Sequence, residues 1–167
     1  MRALILAALV AVAAPGHAQE TRCSSGHYRE FDFFAGDWDG YDVSNPAKPI
    51  ARNHVTRMVD GCALREVYDQ FDGMHGESFS TYDASRGVWH QSWVTNRGVL
   101  LLLDGQFSAG RMTLTATEHN ADGSTSLLRG VWWVEGNAVR ERADRSRDGG
   151  KTWLLVFDMV FRPHRAR

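Results

Sequence analysis

RMTLTATEHNADGSTSLLRGVWWV, residues 111–134, decides the fold. In its first half Met112, Leu114 and Ala116 alternate with Thr113, Thr115 and Thr117. A period of two is the mark of a strand with one buried face, and no helical repeat fits it. Asp122-Gly123 follows, a pair that supplies the positive φ angles of a tight hairpin. A second apolar run then begins at Leu127. The segment therefore reads as strand, turn, strand.

The same pattern extends in both directions. Asp60-Gly61, Asp72-Gly73 and Asp148-Gly149-Gly150 are further hairpin signals. Between such turns we expect about ten strands, near 37–43, 50–59, 63–71, 77–82, 88–95, 99–107, 111–119, 125–134, 138–145 and 153–161. The stretch 44–49 carries Pro46 and Pro49 and is a loop. Residues 99–103 are apolar on both faces and should be covered on both sides or sit beneath the lead-in segment. The residues Trp153, Leu155, Phe157, Met159 and Phe161 form one stripe of period two. No long helix interrupts the series. Consecutive antiparallel strands in one chain of this length close most simply on themselves, because closure removes exposed edges. The expected class is all-β, a single antiparallel up-and-down β-barrel.

The chain has 167 residues and a formal net charge of -1. Residues 1–18 read as a signal peptide: Arg2, an apolar run from Ala3 to Ala14, then small residues at Gly16 and Ala18. The run is too short to span a bilayer, and no other stretch is long enough. Residues 19–35 form a lead-in that plugs one end of the barrel, with Phe31 and Phe34 on one face, and 36–167 form the barrel. Cys23 and Cys62 make an even count in an exported chain, which favours a disulfide and a periplasmic or secreted location. The near-neutral balance gives no reason to expect a nucleic-acid partner. The basic tail of Arg162, His164, Arg165 and Arg167 reads as a solvated end.

Four polar residues fall on the apolar faces of their strands. Glu66 lies between Leu64 and Tyr68, and Gln91 between Trp89 and Trp93. Arg129 lies between Leu127 and Val131, in line with Trp133, and Glu141 between Val139 and Ala143. Alternation points all four into the barrel, where a charge needs a partner. Arg129 is the expected partner of Glu66 or Glu141. Such a set is either a network that fixes strand register or a ligand-orienting, acid–base cluster in an apolar cavity. As a catalytic set it would be Glu66, Arg129 and Glu141. The ligand contacts would come from Tyr68, Ser78, Tyr82, Trp89, Gln91, Trp93 and Trp133. The partner they imply is a small apolar or amphipathic molecule. His54, His75, His90 and His119 are scattered, so no metal set and no cofactor is expected. No nucleophile elbow or phosphate loop is present. Ser146 to Trp153 matches the Asp-box, Ser-x-Asp-x-Gly-x-Thr-Trp, a structural hairpin.

Several of these motifs together resemble an uncharacterised bacterial family with a lipocalin-like (calycin) barrel. They are Phe31-Asp32-Phe33-Phe34-Ala35-Gly36-Asp37-Trp38, Gly61-Cys62-Ala63-Leu64-Arg65-Glu66, Gly76 through Asp83, Trp89 through Val94, and Ser146 through Trp153. The resemblance implies the barrel and carries no settled activity. Gly36-Asp37-Trp38-Asp39-Gly40 is also similar to the opening of nitrobindin-like barrels, which bind haem through a histidine near the C-terminus; here that residue is His164. Three functions follow as expectations. The first is an exported barrel that binds a small, mostly apolar molecule in its interior. The second is a lyase, isomerase or hydrolase with its carboxylate in the barrel mouth. The third is a haem-binding, nitrobindin-like barrel.

Overall fold

A computed structural model describes residues 23–24 and 26–165. The expected signal peptide, residues 1–18, lies outside the described residues. Ten strands follow one another: β1 (Gly36–Asp42), β2 (Ala51–Met58), β3 (Ala63–Gln70), β4 (His75–Asp83), β5 (Val88–Thr95), β6 (Leu100–Ser108), β7 (Arg111–His119), β8 (Thr125–Glu135), β9 (Ala138–Ser146) and β10 (Leu154–Pro163). Each pairs antiparallel with its sequence neighbours, and β1 pairs with β10 to close the barrel. The closing register sets Gly40 opposite Phe161 and Trp38 opposite Pro163. No helix among the described residues is long and apolar enough to cross a membrane.

The interior is built by the alternation described above. In β7 Met112, Leu114 and Ala116 are buried, and in β3 Leu64, Glu66 and Tyr68 are. The barrel has two unlike ends. One is stopped by the lead-in, two single turns of 3-10 helix at Gly26–Arg29 and Asp32–Phe34. Between them Phe31 is fully enclosed, stacked on Phe34 and edge-on to Trp89 and Trp132. Trp38 seals the same end, its indole N–H donating to the Phe34 carbonyl at 2.9 Å. A Cβ at Gly36 would sit 2.6 Å from the Trp38 ring, so only glycine fits there. The Cys23–Cys62 disulfide and the Arg29 guanidinium, which donates to the Gly61 carbonyl, tie the lead-in to the β2–β3 turn.

Three expectations fail, each for a local reason. Arg129 and Trp133 face outward, because β8 buries Ser126, Leu128, Gly130 and Trp132 instead. Both faces of β8 are rich in apolar residues, and the smaller set fits the lumen. The outer face of β6 is uncovered: Leu100 and Leu102 are exposed, while Leu103 is buried. The stripe of β10 is broken by an irregular register between Leu155 and Phe157, which leaves Leu155 exposed and Met159 and Phe161 buried.

Candidate functional site

Away from the plug the barrel holds a cavity of about 330 Å³. Its walls are mostly apolar, from Ile50, Met74, Leu101, Leu103, Leu128, Ala143, Phe157 and Met159. Tyr68, Trp93 and Trp132 add aromatic surface. Two glycines set the indoles in place. A Cβ at Gly130 would meet the Trp132 ring at 2.5 Å, and one at Gly76 the Trp93 ring at 2.4 Å. Each tryptophan thus lies flat over a bare backbone instead of rotating across the lumen.

The polar groups are concentrated deeper, at mid-strand positions. Asn53 Nδ2 donates to Glu66 Oε1 and Ser78 Oγ to Glu66 Oε2, both at 2.8 Å. Gln91 Nε2 reaches Ser78 Oγ at 3.3 Å and Ser80 Oγ at 3.1 Å. Adjacent strands supply these groups in register: Glu66 lies opposite Ser78, and Ser80 opposite Gln91. Glu141 enters from β9, four strand steps round the barrel from β3 by way of β1. It lines the cavity beside Trp132, to which it is directly paired.

The two carboxyls have different surroundings. Burial pushes Glu66 above the usual carboxylate range, and the Ser78 and Asn53 donors offset part of that shift. Burial pushes Glu141 well above 4.5, and the charge of Glu66 pushes it further. The Trp132 N–H faces Glu141 and opposes this shift in part, yet it has no partner within hydrogen-bond geometry. Glu141 is therefore the harder member of the pair to ionise, and Glu66 the more readily ionised one. Burial, with Glu141 and Glu66 nearby, also raises Tyr68, whose hydroxyl lies 3.3 Å from Gln70 Oε1 and 3.6 Å from Met159 Sδ.

The residues singled out in the sequence separate into three groups. Glu66, Tyr68, Gln91, Trp93 and Glu141 line the cavity together, and Ser78 stands just behind Glu66. Trp89 and Tyr82 belong to the plugged end: the Trp89 N–H donates to Glu30 at 3.0 Å, and Tyr82 packs under His27 and Tyr28. Arg129 and Trp133 are outside. Arg129 lies 3.4 Å from Asp144 and stacks over Trp153 at 4.0 Å, and Arg111 stacks over Trp133 at 4.3 Å. The expected ion pair of Arg129 with Glu66 or Glu141 does not form, because Arg129 points the other way. Trp132 and Asn53 were not foreseen. The signal for Trp132 was Gly130-x-Trp132, the same spacing as Gly36-x-Trp38.

Among the described residues no histidine lines the cavity. His164 lies against Asp39 at 3.0 Å, at the plugged end. Among the described residues no group of three or more His, Cys, Asp or Glu is arranged to hold a metal ion. No family model matches the chain, and no curated protein is detectably similar to it.

Proposed function

We propose that this protein is an exported member of the lipocalin-like barrels and binds a small, mostly apolar molecule in its interior. The observation that carries this reading is the cavity of about 330 Å³, walled by aliphatic and aromatic side chains and floored by a few convergent polar groups. That volume and that chemistry are those of a small-molecule site. The Cys23–Cys62 disulfide supports an oxidising compartment.

Titration with the neutral naphthalene dye prodan tests the reading. Blue-shifted emission excited through Trp93 and Trp132 is the expected result. Leu103→Trp, which fills the lumen from β6, should abolish it in a protein that still melts cooperatively. A dye signal that survives Leu103→Trp, or no signal from the wild type, sinks interior binding.

A second reading is an acid–base enzyme in the same cavity. The Glu141 carboxyl supports it: burial and the nearby Glu66 charge raise it in an apolar lumen, and a carboxyl raised in this way can give a proton to a bound molecule and take it back. Here the molecule retained through purification from the envelope fraction would be turned over by the wild type and not by Glu141→Gln. Equal turnover, or none by either, removes this reading.

A further inference from the structure

The cavity lining is one-sided in charge. Four of its residues are acidic: Asp42 near the open end, Asp158 on β10, and Glu66 and Glu141 in the interior. Among the described residues no lysine, arginine or histidine lines it. Asp158 is balanced from outside by Arg140, whose Nε and Nη2 lie 2.5 and 2.8 Å from the carboxylate. Asp42 accepts from Ser44, and Glu66 from Asn53 and Ser78, all of them uncharged donors. Glu141 has no hydrogen-bonded cation among the described residues. An acidic pair in an apolar lumen, Glu66 buried and Glu141 half-buried, without a positive partner is unusual, because a charge drawn out of water is normally paired.

The neighbours of that pair are suited to a cation. Tyr68, Trp93 and Trp132 line the same lumen as the two carboxyls, and aromatic faces beside carboxylates are how proteins take up ammonium groups. The Trp132 N–H, without a partner, is a donor to a Glu141 carboxylate once that group ionises. An anionic ligand would meet four carboxyl groups and, among the described residues, no cation to offset them, and a purely apolar one would leave Glu141 and Trp132 unanswered.

We infer that the ligand is an amphiphilic amine: an apolar body among the aliphatic walls, and a protonated primary or secondary amino group between Glu66 and Glu141. The inference rests on the interior-binding reading and names its ligand class. Binding an ammonium ion beside Glu141 expels the carboxyl proton to solvent, so one proton leaves as one cation enters. The other titratable groups lining the lumen are Glu66 and Tyr68 from β3, Asp42 from β1 and Asp158 from β10. Of these Glu66 acts most directly on Glu141, and its charge draws the ammonium in as well.

The test is calorimetric titration of the full mature protein with n-octylamine, n-octanol and octanoate, which share a chain and differ in head group. At pH 8 octylamine should bind roughly ten- to a hundredfold more tightly than octanol, the range of a charge-assisted hydrogen bond. Octanoate should bind more weakly than octanol. Repeating the octylamine titration in buffers of different ionisation enthalpy should show proton release. Glu141→Gln should erase the proton release and most of the preference for the amine. Asp42→Asn, nearer the open end, should reduce the preference only a few fold. Equal or tighter binding of octanol or octanoate overturns the inference. So does amine binding without proton release, or an unchanged preference in a folded Glu141→Gln. If prodan enters and no alkylamine does, the amine inference falls and interior binding stands. If neither binds, both fall.

Discussion

Glu66 and Glu141 are the same residue type in one lumen, and the structure gives them opposite energetics. Glu66 receives two hydrogen bonds at 2.8 Å, whereas Glu141 receives none that meets hydrogen-bond geometry. Removing Glu66 therefore strands the Asn53 amide and the Ser78 hydroxyl, each worth about 1–3 kcal/mol when left buried and unpaired. Glu66→Leu should lower the unfolding free energy by roughly 2–5 kcal/mol in urea. Glu141→Gln should cost nothing at pH 8 and raise the melting temperature there. The sign follows from the raised titration of Glu141. A carboxyl whose folded pKa lies above its unfolded one favours the fold fully below the unfolded value, here near 4.5, and that contribution is lost as pH rises toward the folded value. Wild-type stability should thus fall as pH rises above about 4.5, and Glu141→Gln should flatten that fall. Parallel pH profiles for the two proteins would show that Glu141 titrates normally. Glu66, Gln91 and Glu141 were legible as inward because each stands between clearly apolar neighbours on one face. Asn53 was not, since its strand, β2, alternates between polar residues and small ones, with Ala51, Asn53 and Val55 the buried set.

Strand patterning gives a residue's face and leaves its height along the barrel open, which is why Trp89 and Trp93, two residues apart on β5, end in different places. Trp93 lines the cavity and Trp89 packs into the plug. The face itself is ambiguous where both sets are apolar. In β8 Leu127, Val131 and Trp133 are as hydrophobic as Leu128 and Trp132, and only the small residues Ser126 and Gly130 mark the inward side. What made the outward set tolerable is a layer of guanidinium groups: Arg111 and Arg140 cover Trp133, at 4.3 and 5.8 Å. The hairpin between β9 and β10 was legible almost atom by atom, because its chemistry is local. Gly150 N–H donates to Ser146 Oγ, Thr152 donates to Asp148 through both N–H and hydroxyl, and the Trp153 N–H closes on the Gly150 carbonyl at 3.0 Å. The Thr152 and Ser146 contacts hold the Asp148 carboxyl at about 2, below the usual 3.8. A depressed carboxyl supports the fold above its unfolded pKa and loses that support as pH falls through the folded one. The hairpin should therefore loosen between about pH 4 and pH 2, ahead of the barrel. Amide exchange at Gly150 and Thr152 reads this directly. Asp148→Ala should show already at pH 7 the low protection factors that the wild type reaches only in acid, and unchanged protection in that variant would show the turn to be held by Ser146 and glycine alone.

At the scale of the whole molecule the closed end and the cavity share one side chain. Trp132 lines the lumen, and its ring is also edge-on to the enclosed Phe31 of the lead-in at 5.6 Å. The lead-in is held in two ways. Packing holds it through Phe31 and Phe34, both nearly inaccessible. Tethers hold it through Cys23–Cys62, the Arg57–Asp32 ion pair at 2.7 Å and the Trp89 bond to Glu30. These two modes predict different outcomes when each is cut. The disulfide spans a separation of 39 residues. Its main effect is to restrict the unfolded chain, so Cys23→Ser with Cys62→Ser should lower stability by about 2–4 kcal/mol. The native plug stays docked in that variant, because a buried phenylalanine alone contributes roughly 1.5–3 kcal/mol. Prodan affinity should then remain within a few fold of wild type at a temperature where both proteins are folded. Phe31→Ala removes the body of the plug instead. It should cost roughly 3–5 kcal/mol, free Trp132 from below, and open the lumen at its second end. Dye binding should weaken far more than in the cysteine variant, even where the two proteins are equally folded. Loss of binding in the cysteine variant alone would mean that the tether, and not the packing, shapes the floor of the site.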